Sequence, residues 1–277
     1  MYTSLIDSNS LLNELGNPAW LIIDTRYDLM NKEAGRNAYL EGHIPGAIYL
    51  DVHDDLSGPP VTNRGRHPLP TTDAMNELFS RTGITEHTQI IIYDDSFGSF
   101  AARLWWMLQY MQHPAAAVLD GGWQAWIANN NPVDNSIKDI LPSTFNQQPD
   151  TNNVVHIDDV QGHEKIVDSR EPGRYRGEFE PIDPVAGHIP GAINRFWKDN
   201  LSEQGFFKDK QELKRDFEQL LQEVPAEEAV FYCGSGVTAC HNLLTVVHAG
   251  LALPKLYAGS WSEWSNTPGK PVATDME

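Results

Sequence analysis

The sequence predicts an α/β protein made of two tandem copies of one unit, each with a mainly parallel sheet and helices on both faces. Three motifs occur twice in the same order: a buried strand that ends in Asp, a GHIPGA turn, and a short Trp-containing segment. Between them, apolar strands alternate with helical patterns, which is typical of parallel sheets covered by helices. The 277 residues also exceed the size of most single-domain cores.

The repeats can be followed motif by motif, and their order defines the predicted domains. LIIDTR at Leu21–Arg26 returns as KIVDSR at Lys165–Arg170, and GHIPGAI at Gly42–Ile48 returns at Gly187–Ile193. DGGWQAW in the first copy is matched by AGSWSEW in the second. Self-similarity of this kind indicates repeated structural units. We therefore predict a first domain over residues 1–135, a linker over 136–153 and a second domain over 154–277.

Helix signals lie at corresponding places in the two copies. In the first copy the apolar spacing predicts a helix over Thr72–Thr82, with Thr71 or Thr72 as its N-cap. In the second copy the matching helix covers Lys210–Glu223 and ends before Pro225. The linker is rich in Asn, Pro and Asp, so we expect it to be ordered but irregular.

Composition narrows the function classes. A formal net charge of −18 and a pI near 4.8 argue against a nucleic-acid partner, because no cluster of Lys or Arg is present to neutralise phosphates. No apolar run approaches the ~20 residues of a membrane span, so we expect no membrane partner. The two cysteines, Cys233 and Cys240, fit a reducing cytoplasm rather than a disulfide scaffold. We expect no metal and no organic cofactor.

The stretch around Cys233 carries the strongest chemical signal. The apolar run Ala229–Tyr232 predicts a buried strand, and Val237–His248 has apolar residues at helical spacing. The turn between them, Gly234–Gly236, is glycine-rich, so its backbone N–H groups can face inward and the helix N-terminus adds a positive dipole end. A thiolate is stabilised in such a place, which makes Cys233 a candidate nucleophile.

Counting tests rival cysteine chemistries. A cysteine phosphatase needs an Arg six positions after its nucleophile, where this chain has Ala239. A zinc site or a C-x-x-C dithiol would need a spacing that Cys233 and Cys240 do not have. A Cys–His hydrolase stays open, because ten histidines are available.

The duplication also separates architecture from chemistry. We interpret features present in both copies as structural, namely the pairs Asp24/Asp168, Arg26/Arg170 and His43/His188. Features present in one copy are candidates for function. The paired tryptophans place Asp95 of the first copy opposite Cys233, so the first copy lacks the nucleophile.

The CGSGVTAC loop, the duplicated (L/I)IDTR-like and GHIPGA motifs and the paired Trp endings resemble tandem-domain rhodanese-type sulfurtransferases, nearest to the 3-mercaptopyruvate branch. The resemblance implies two rhodanese-like domains, of which the second carries a cysteine that cycles through a persulfide. It implies a small anionic donor, 3-mercaptopyruvate or thiosulfate, and a thiol, cyanide or thioredoxin-like acceptor. The thiosulfate branch typically has basic residues directly after the cysteine, whereas Gly234 and Ser235 are uncharged.

The resemblance also implies a set of site residues. The expected catalytic residues are Cys233, Ser235 and His67, the histidine relaying protons toward the serine. Arg174 matches an arginine that holds the donor carboxylate, with Arg176 as a second candidate. The expected backbone donors of the loop are Gly234, Gly236, Val237, Thr238 and Ala239. The chain departs from the family at Ile182, where a second carboxylate-binding arginine is expected.

Three functions therefore remain beside the favoured mercaptopyruvate sulfurtransferase. One is a rhodanese that prefers thiosulfate, which is favoured by Ile182 in place of the expected carboxylate-binding arginine. Another is a persulfide carrier or thiol-sensing module that serves a protein partner. The third is the Cys–His hydrolase. A persulfide adduct on Cys233 would separate the sulfur-transfer readings from the hydrolase.

Overall fold

The computed structural model describes residues 1–59, 61 and 64–274. They form two compact units, of which the first comprises Met1–Gly58 and Pro70–Asp150. The second unit consists of the described residues from Thr151 onward together with those of Pro59–Leu69. That short segment belongs to the first repeat in sequence but to the second unit in space. Residues 136–150 of the predicted linker are part of the first unit.

The first unit is a five-stranded parallel sheet with helices between the strands. Its strand order is β1-β5-β4-β2-β3, and every pairing is parallel. The elements are β1 (Leu5–Ile6), α1 (Ser8–Asn13), β2 (Trp20–Asp24), α2 (Ala34–Glu41), β3 (Ile48–Tyr49), α3 (Thr72–Arg81), β4 (Gln89–Tyr93), α4 (Ala101–Tyr110), β5 (Ala116–Leu119) and α5 (Gly122–Ala128).

The second unit repeats this topology. Its order is β6-β10-β9-β7-β8, which is the same arrangement when the strands are numbered within the unit. The elements are β6 (Val154–Val155), β7 (Ile166–Asp168), α6 (Pro172–Arg176), β8 (Ala192–Asn194), α7 (Lys210–Leu221), β9 (Val230–Tyr232), α8 (Ala239–His248), β10 (Lys255–Tyr257) and α9 (Ser260–Trp264). Within the described ranges, no helix combines the length and apolar character that crossing a membrane requires.

The predicted elements around the site are confirmed. Helix α3 begins after Thr71, whose side chain accepts the N–H of Ala74 as an N-cap does. Helix α7 begins at Lys210 as predicted and ends at Leu221, two residues early. Strand β9 and helix α8 lie on either side of Cys233. The parallel strands place that loop at a carboxyl edge of the sheet, where α/β proteins build their sites.

Residues 136–150 are irregular but fixed by hydrogen bonds to α3 and its neighbours. The N–H of Phe145 donates to Ser80 Oγ, and that of Gln147 donates to Asn76 Oδ1. The ring of Phe145 is buried and packs edge-on against Phe79. These residues are thus ordered without forming a helix or strand, as their composition predicts.

Each unit contains the same buried ion pair, which holds its own GHIPGA turn. Arg26 binds Asp24 with two nitrogens and donates to the carbonyl of Gly42. Arg170 binds Asp168 in the same way and donates to the carbonyl of Gly187. The turn histidines are structural as well: His43 lies 2.7 Å from the Tyr39 carbonyl and His188 lies 2.8 Å from that of Tyr175.

Candidate active site

Cys233 follows directly on β9 and is buried, with 1% of its surface exposed. Its N–H donates to Ser260 Oγ at 3.1 Å, and its carbonyl accepts the N–H of Trp261 at 2.9 Å. The carbonyl of Gly234 accepts the N–H of Ser262. The start of the loop is therefore bound to α9, which fixes the backbone on which the thiol is carried.

Gly236 is required by the path of the loop. Its φ of +75° lies in the left-handed region, and a Cβ atom at this position would stand 2.3 Å from the carbonyl oxygen of Ala258. The tight approach lets the chain turn from β9 into α8, whose first residue is Ala239. The predicted backbone donors thus lie in the turn and at the N-terminus of α8, where N–H groups lack helical partners.

The structure corrects the residue opposite Cys233 in the first unit: it is Asp94 and not Asp95. The backbone N–H of Trp123 donates to the Asp94 carbonyl, as the backbone N–H of Trp261 does to the Cys233 carbonyl. The prediction counted back from the tryptophans and was wrong by one position, because the loop before α4 is one residue longer than the loop before α8. The extra residue shifts the alignment of the two copies by one position, although each loop begins directly after the fourth strand of its sheet.

Asp94 shows what this kind of loop binds. Its fully buried carboxylate accepts four backbone N–H groups, each at 2.8 Å, from Ser96, Gly98, Phe100 and Ala101. Burial raises the pKa of Asp94, and these four hydrogen bonds oppose the rise. A loop in the place of the Cys233 loop therefore closes its N–H groups around an anion on the side chain of its first residue.

The structure brings His67 and Ser235 together. His67 Nδ1 lies 2.8 Å from Ser235 Oγ, and both side chains are buried. The segment that carries the histidine is held in the second unit, where the N–H of Arg66 donates to Ser262 Oγ. An imidazole and a hydroxyl in hydrogen-bond contact can pass a proton between them.

Two guanidinium groups lie beside Gly234. A Cβ atom on this glycine would stand 3.1 Å from Arg66 Nη2 and 3.6 Å from Arg174 Nη2. Arg174 is where the sequence predicts a carboxylate-binding residue. For Arg66 the sequence leaves two interpretations open, a source of positive potential near the site and an ordinary solvated arginine. Arg176 instead pairs with the exposed Glu178 at 2.7 Å.

Two buried carboxylates hold these arginines. Glu180 accepts Arg174 Nε at 3.0 Å and Nη2 at 2.7 Å, and it also pairs with Arg170. Asp183 pairs with Arg66 and lies 3.5 Å from Arg174 Nη2. Burial would raise the pKa of Glu180, but its hydrogen bonds to Arg174 and that residue's charge outweigh the burial and lower it. Burial raises the pKa of Asp183, which the two arginines oppose.

We predict that Glu180→Gln lowers the free energy of unfolding by about 2 kcal/mol at neutral pH, relative to the unmodified protein. The substitution weakens a buried charged pair. The folded-state pKa of Glu180 lies below the unfolded one, so its contribution is present above the unfolded pKa and is lost as pH falls through the folded pKa. Urea unfolding of both proteins across the acid range measures this. A difference that stays constant down to the lowest pH would contradict the prediction.

Comparison with known proteins identifies the family. The profile of the rhodanese-like domain matches residues 7–129 and again residues 145–267. The chain belongs to the rhodanese-like domain family. A probable 3-mercaptopyruvate sulfurtransferase of Pseudomonas aeruginosa is 42% identical over 98% of both chains. A putative thiosulfate sulfurtransferase, SseB, of Mycobacterium tuberculosis is 34% identical over 91% of this chain and 89% of that one.

A solved structure agrees with this assignment. The 3-mercaptopyruvate sulfurtransferase of Leishmania major superposes with a TM-score of 0.87 at 30% identity, over 98% of this chain and 76% of that one. The predictions of a tandem rhodanese fold and of a sulfurtransferase are confirmed by these comparisons. The roles of individual site residues stay predictions, now with a defined geometry in the second rhodanese domain.

Proposed function

We propose that this sulfurtransferase takes sulfur from 3-mercaptopyruvate and carries it as a persulfide on Cys233. The supporting observation is the convergence on one loop of the buried Cys233, the His67–Ser235 pair and two guanidinium groups beside Gly234. These are a nucleophile, a proton carrier and a cationic anchor, which a sulfur donor with a carboxylate requires. The Pseudomonas relative bears this donor in its name.

Loading begins when the Cys233 thiolate attacks the thiol sulfur of the donor. A sulfur–sulfur bond forms, the carbon–sulfur bond breaks, and its electron pair leaves on carbon as the enolate of pyruvate. The proton of the donor thiol ends on that carbon, so the products are the persulfide and pyruvate. The two sulfurs together lose the two electrons that the carbon gains, so the step needs no external oxidant.

The His67–Ser235 pair moves that proton. Ser235 Oγ takes the proton of the donor thiol while His67 Nδ1 accepts from the serine, and the reverse transfer protonates the enolate. Both groups are buried, so water competes poorly for the proton.

The loop stabilises the persulfide as its counterpart stabilises Asp94. The terminal sulfur of a Cys233 persulfide stands two bonds beyond Cβ, as do the carboxylate oxygens of Asp94. In the first domain this distance brings the anion onto four N–H groups at 2.8 Å. Donors that are already oriented cost no reorganisation when charge develops on the sulfur.

Discharge needs a second nucleophile. A thiol, a thioredoxin-like dithiol or cyanide attacks the terminal sulfur, the sulfur–sulfur bond breaks, and its electron pair returns to Cys233 as the thiolate. The cycle runs in the cytoplasm, where acceptor thiols stay reduced. A persulfide carrier that serves a protein partner would load in the same way but would pass sulfur slowly to small acceptors.

Thiosulfate is the second candidate donor. Ile182 stands where the family resemblance expects a second carboxylate-binding arginine, and it is 42% exposed. The Mycobacterium relative is named for thiosulfate. In that case the sulfane sulfur moves to Cys233 and sulfite leaves with the electron pair of the broken bond.

Intact-mass spectrometry after incubation with each donor tests the proposal. We expect an adduct of about 32 Da, one sulfur atom, that dithiothreitol removes and that forms faster with 3-mercaptopyruvate than with thiosulfate. Adduct formation with thiosulfate alone would select the second donor. The absence of an adduct with every donor would refute sulfur transfer through Cys233.

Arg174 and Arg176 offer a matched pair of variants. Arg174→Ala should raise the KM for 3-mercaptopyruvate about tenfold, a larger factor than for thiosulfate, because the terminal nitrogens of its guanidinium group lie beside Gly234 and can donate to a carboxylate. Arg176→Ala should change KM by less than about twofold, since its side chain pairs with the exposed Glu178. Steady-state rates with both donors provide the measurement. Equal effects of Arg174→Ala on both donors would exclude the carboxylate role.

A further inference from the structure

The cationic anchor beside the loop is electrically balanced. Arg66, Arg170 and Arg174 supply three positive charges, and Asp168, Glu180 and Asp183 supply three negative charges in contact with them. The side chains of Glu180 and Asp183 are 2% exposed, so their charges are poorly screened by solvent. A donor that approaches Gly234 thus meets two guanidinium groups whose charge is already offset.

Asp183 is the member of this cluster best placed to act on the donor. It contacts both guanidinium groups beside Gly234, namely Arg66 by an ion pair and Arg174 at 3.5 Å. Asp168 instead serves the GHIPGA turn through Arg170, and Glu180 divides its contacts between Arg170 and Arg174. Only these guanidinium groups therefore separate the carboxylate of Asp183 from Gly234 at the start of the loop.

The candidate donors differ in charge. At neutral pH 3-mercaptopyruvate carries one negative charge on its carboxylate, whereas thiosulfate carries two. A fixed negative charge near the donor repels a dianion about twice as strongly as a monoanion, because Coulomb energy is proportional to the product of the charges. A buried carboxylate at this position discriminates between the donors without touching either.

We infer that Asp183 is a specificity-determining residue that makes the donor site selective for singly charged over doubly charged sulfur donors. The inference rests on the proposed function, since it presumes that Arg66 and Arg174 bind the donor. It explains how a site with Ile182 in place of the second arginine can still favour a monoanionic carboxylate: a cluster without net charge gives a second negative charge on the donor no additional attraction.

The test compares two sulfane donors that differ in charge, thiosulfate and an aryl thiosulfonate, which is a monoanion. Asp183→Asn should raise the ratio of kcat/KM for thiosulfate to that for the thiosulfonate about tenfold, equivalent to about 1.4 kcal/mol. Glu178→Gln removes the same charge from the same segment, at an exposed pair with Arg176. This control should move the ratio by less than about twofold.

A second variant guards against a folding defect. Arg66→Gln removes a positive charge from the same cluster, so it should move the ratio in the opposite direction and disfavour thiosulfate. Thermal unfolding of each variant shows whether it is folded. If Asp183→Asn and Arg66→Gln change kcat/KM for both donors by equal factors, Asp183 does not select donors by their charge. The proposed sulfur transfer would be unaffected by that result. If no donor gives a persulfide on Cys233 in the unmodified protein, the proposed function itself fails.

Discussion

A Cys233→Ser variant is expected to lose sulfurtransferase activity by at least about a thousandfold, with both donors and all acceptors. Serine fits the buried position and can keep the backbone contacts to Ser260 and Trp261, so the fold should be retained. Its hydroxyl is a far weaker nucleophile than a thiolate and cannot hold a persulfide. Rates of pyruvate release from 3-mercaptopyruvate and of thiocyanate formation from cyanide measure the loss.

Cys240→Ser is the matched control for this variant. Cys240 lies in α8, is fully buried, and its thiol donates to the carbonyl of Gly236 at 3.4 Å. A serine hydroxyl can make the same hydrogen bond, so we expect activity within about threefold of the unmodified protein. Equal losses in the two variants would mean that substitution damages the loop as a whole, and the assignment of Cys233 as nucleophile would lose its support.

The fold could be predicted because its signals are local and occur twice. The central strands are short apolar runs, and the matching helices α3 and α7 begin at side-chain N-caps, Thr71 and Asp209. The repeated Asp–Arg pairs mark the turn that follows β2 and β7. A single copy of these motifs would have been ambiguous, but two copies in the same order required one architecture used twice.

The part of the site that lies within a sequence motif or matches the family resemblance could be predicted. The loop at Cys233 and the partner His67 follow from the sequence and the family resemblance, and the structure brings His67 Nδ1 to 2.8 Å from Ser235. Arg66 could not be predicted with the same force. Its position depends on residues 64–69 packing within the second unit, and tertiary packing of an irregular segment leaves no periodic trace in the sequence.

The acidic residues around the arginines were missed for a related reason. Glu180 and Asp183 lie in a proline-containing stretch that has no helical or strand periodicity, and isolated acidic residues are usually solvated. Their burial against Arg174 and Arg66 shows only in three dimensions. Because of this pairing, the arginines beside the loop belong to a cluster of balanced charge.

The second large effect concerns the first domain and tests the loop chemistry independently of catalysis. Asp94→Ala should lower the free energy of unfolding by about 4 kcal/mol, because it leaves four buried N–H groups without their acceptor. Asp95→Ala should lower it by less than about 1 kcal/mol, since the half-buried Asp95 carboxylate accepts the Ser96 hydroxyl at a long 3.4 Å. Urea unfolding of both variants measures the difference.

The contrast between these neighbouring residues decides how far the first domain informs the second. If Asp94→Ala is as mild as Asp95→Ala, the N–H groups of the loop do not depend on an anion, and the analogy between Asp94 and the Cys233 persulfide fails. If the contrast is large, the fold itself supplies an anion-binding loop after its fourth strand. The first domain fills that loop permanently with a carboxylate, and in the proposed cycle the second domain leaves the centre of its loop to a sulfur that is gained and lost in each turnover.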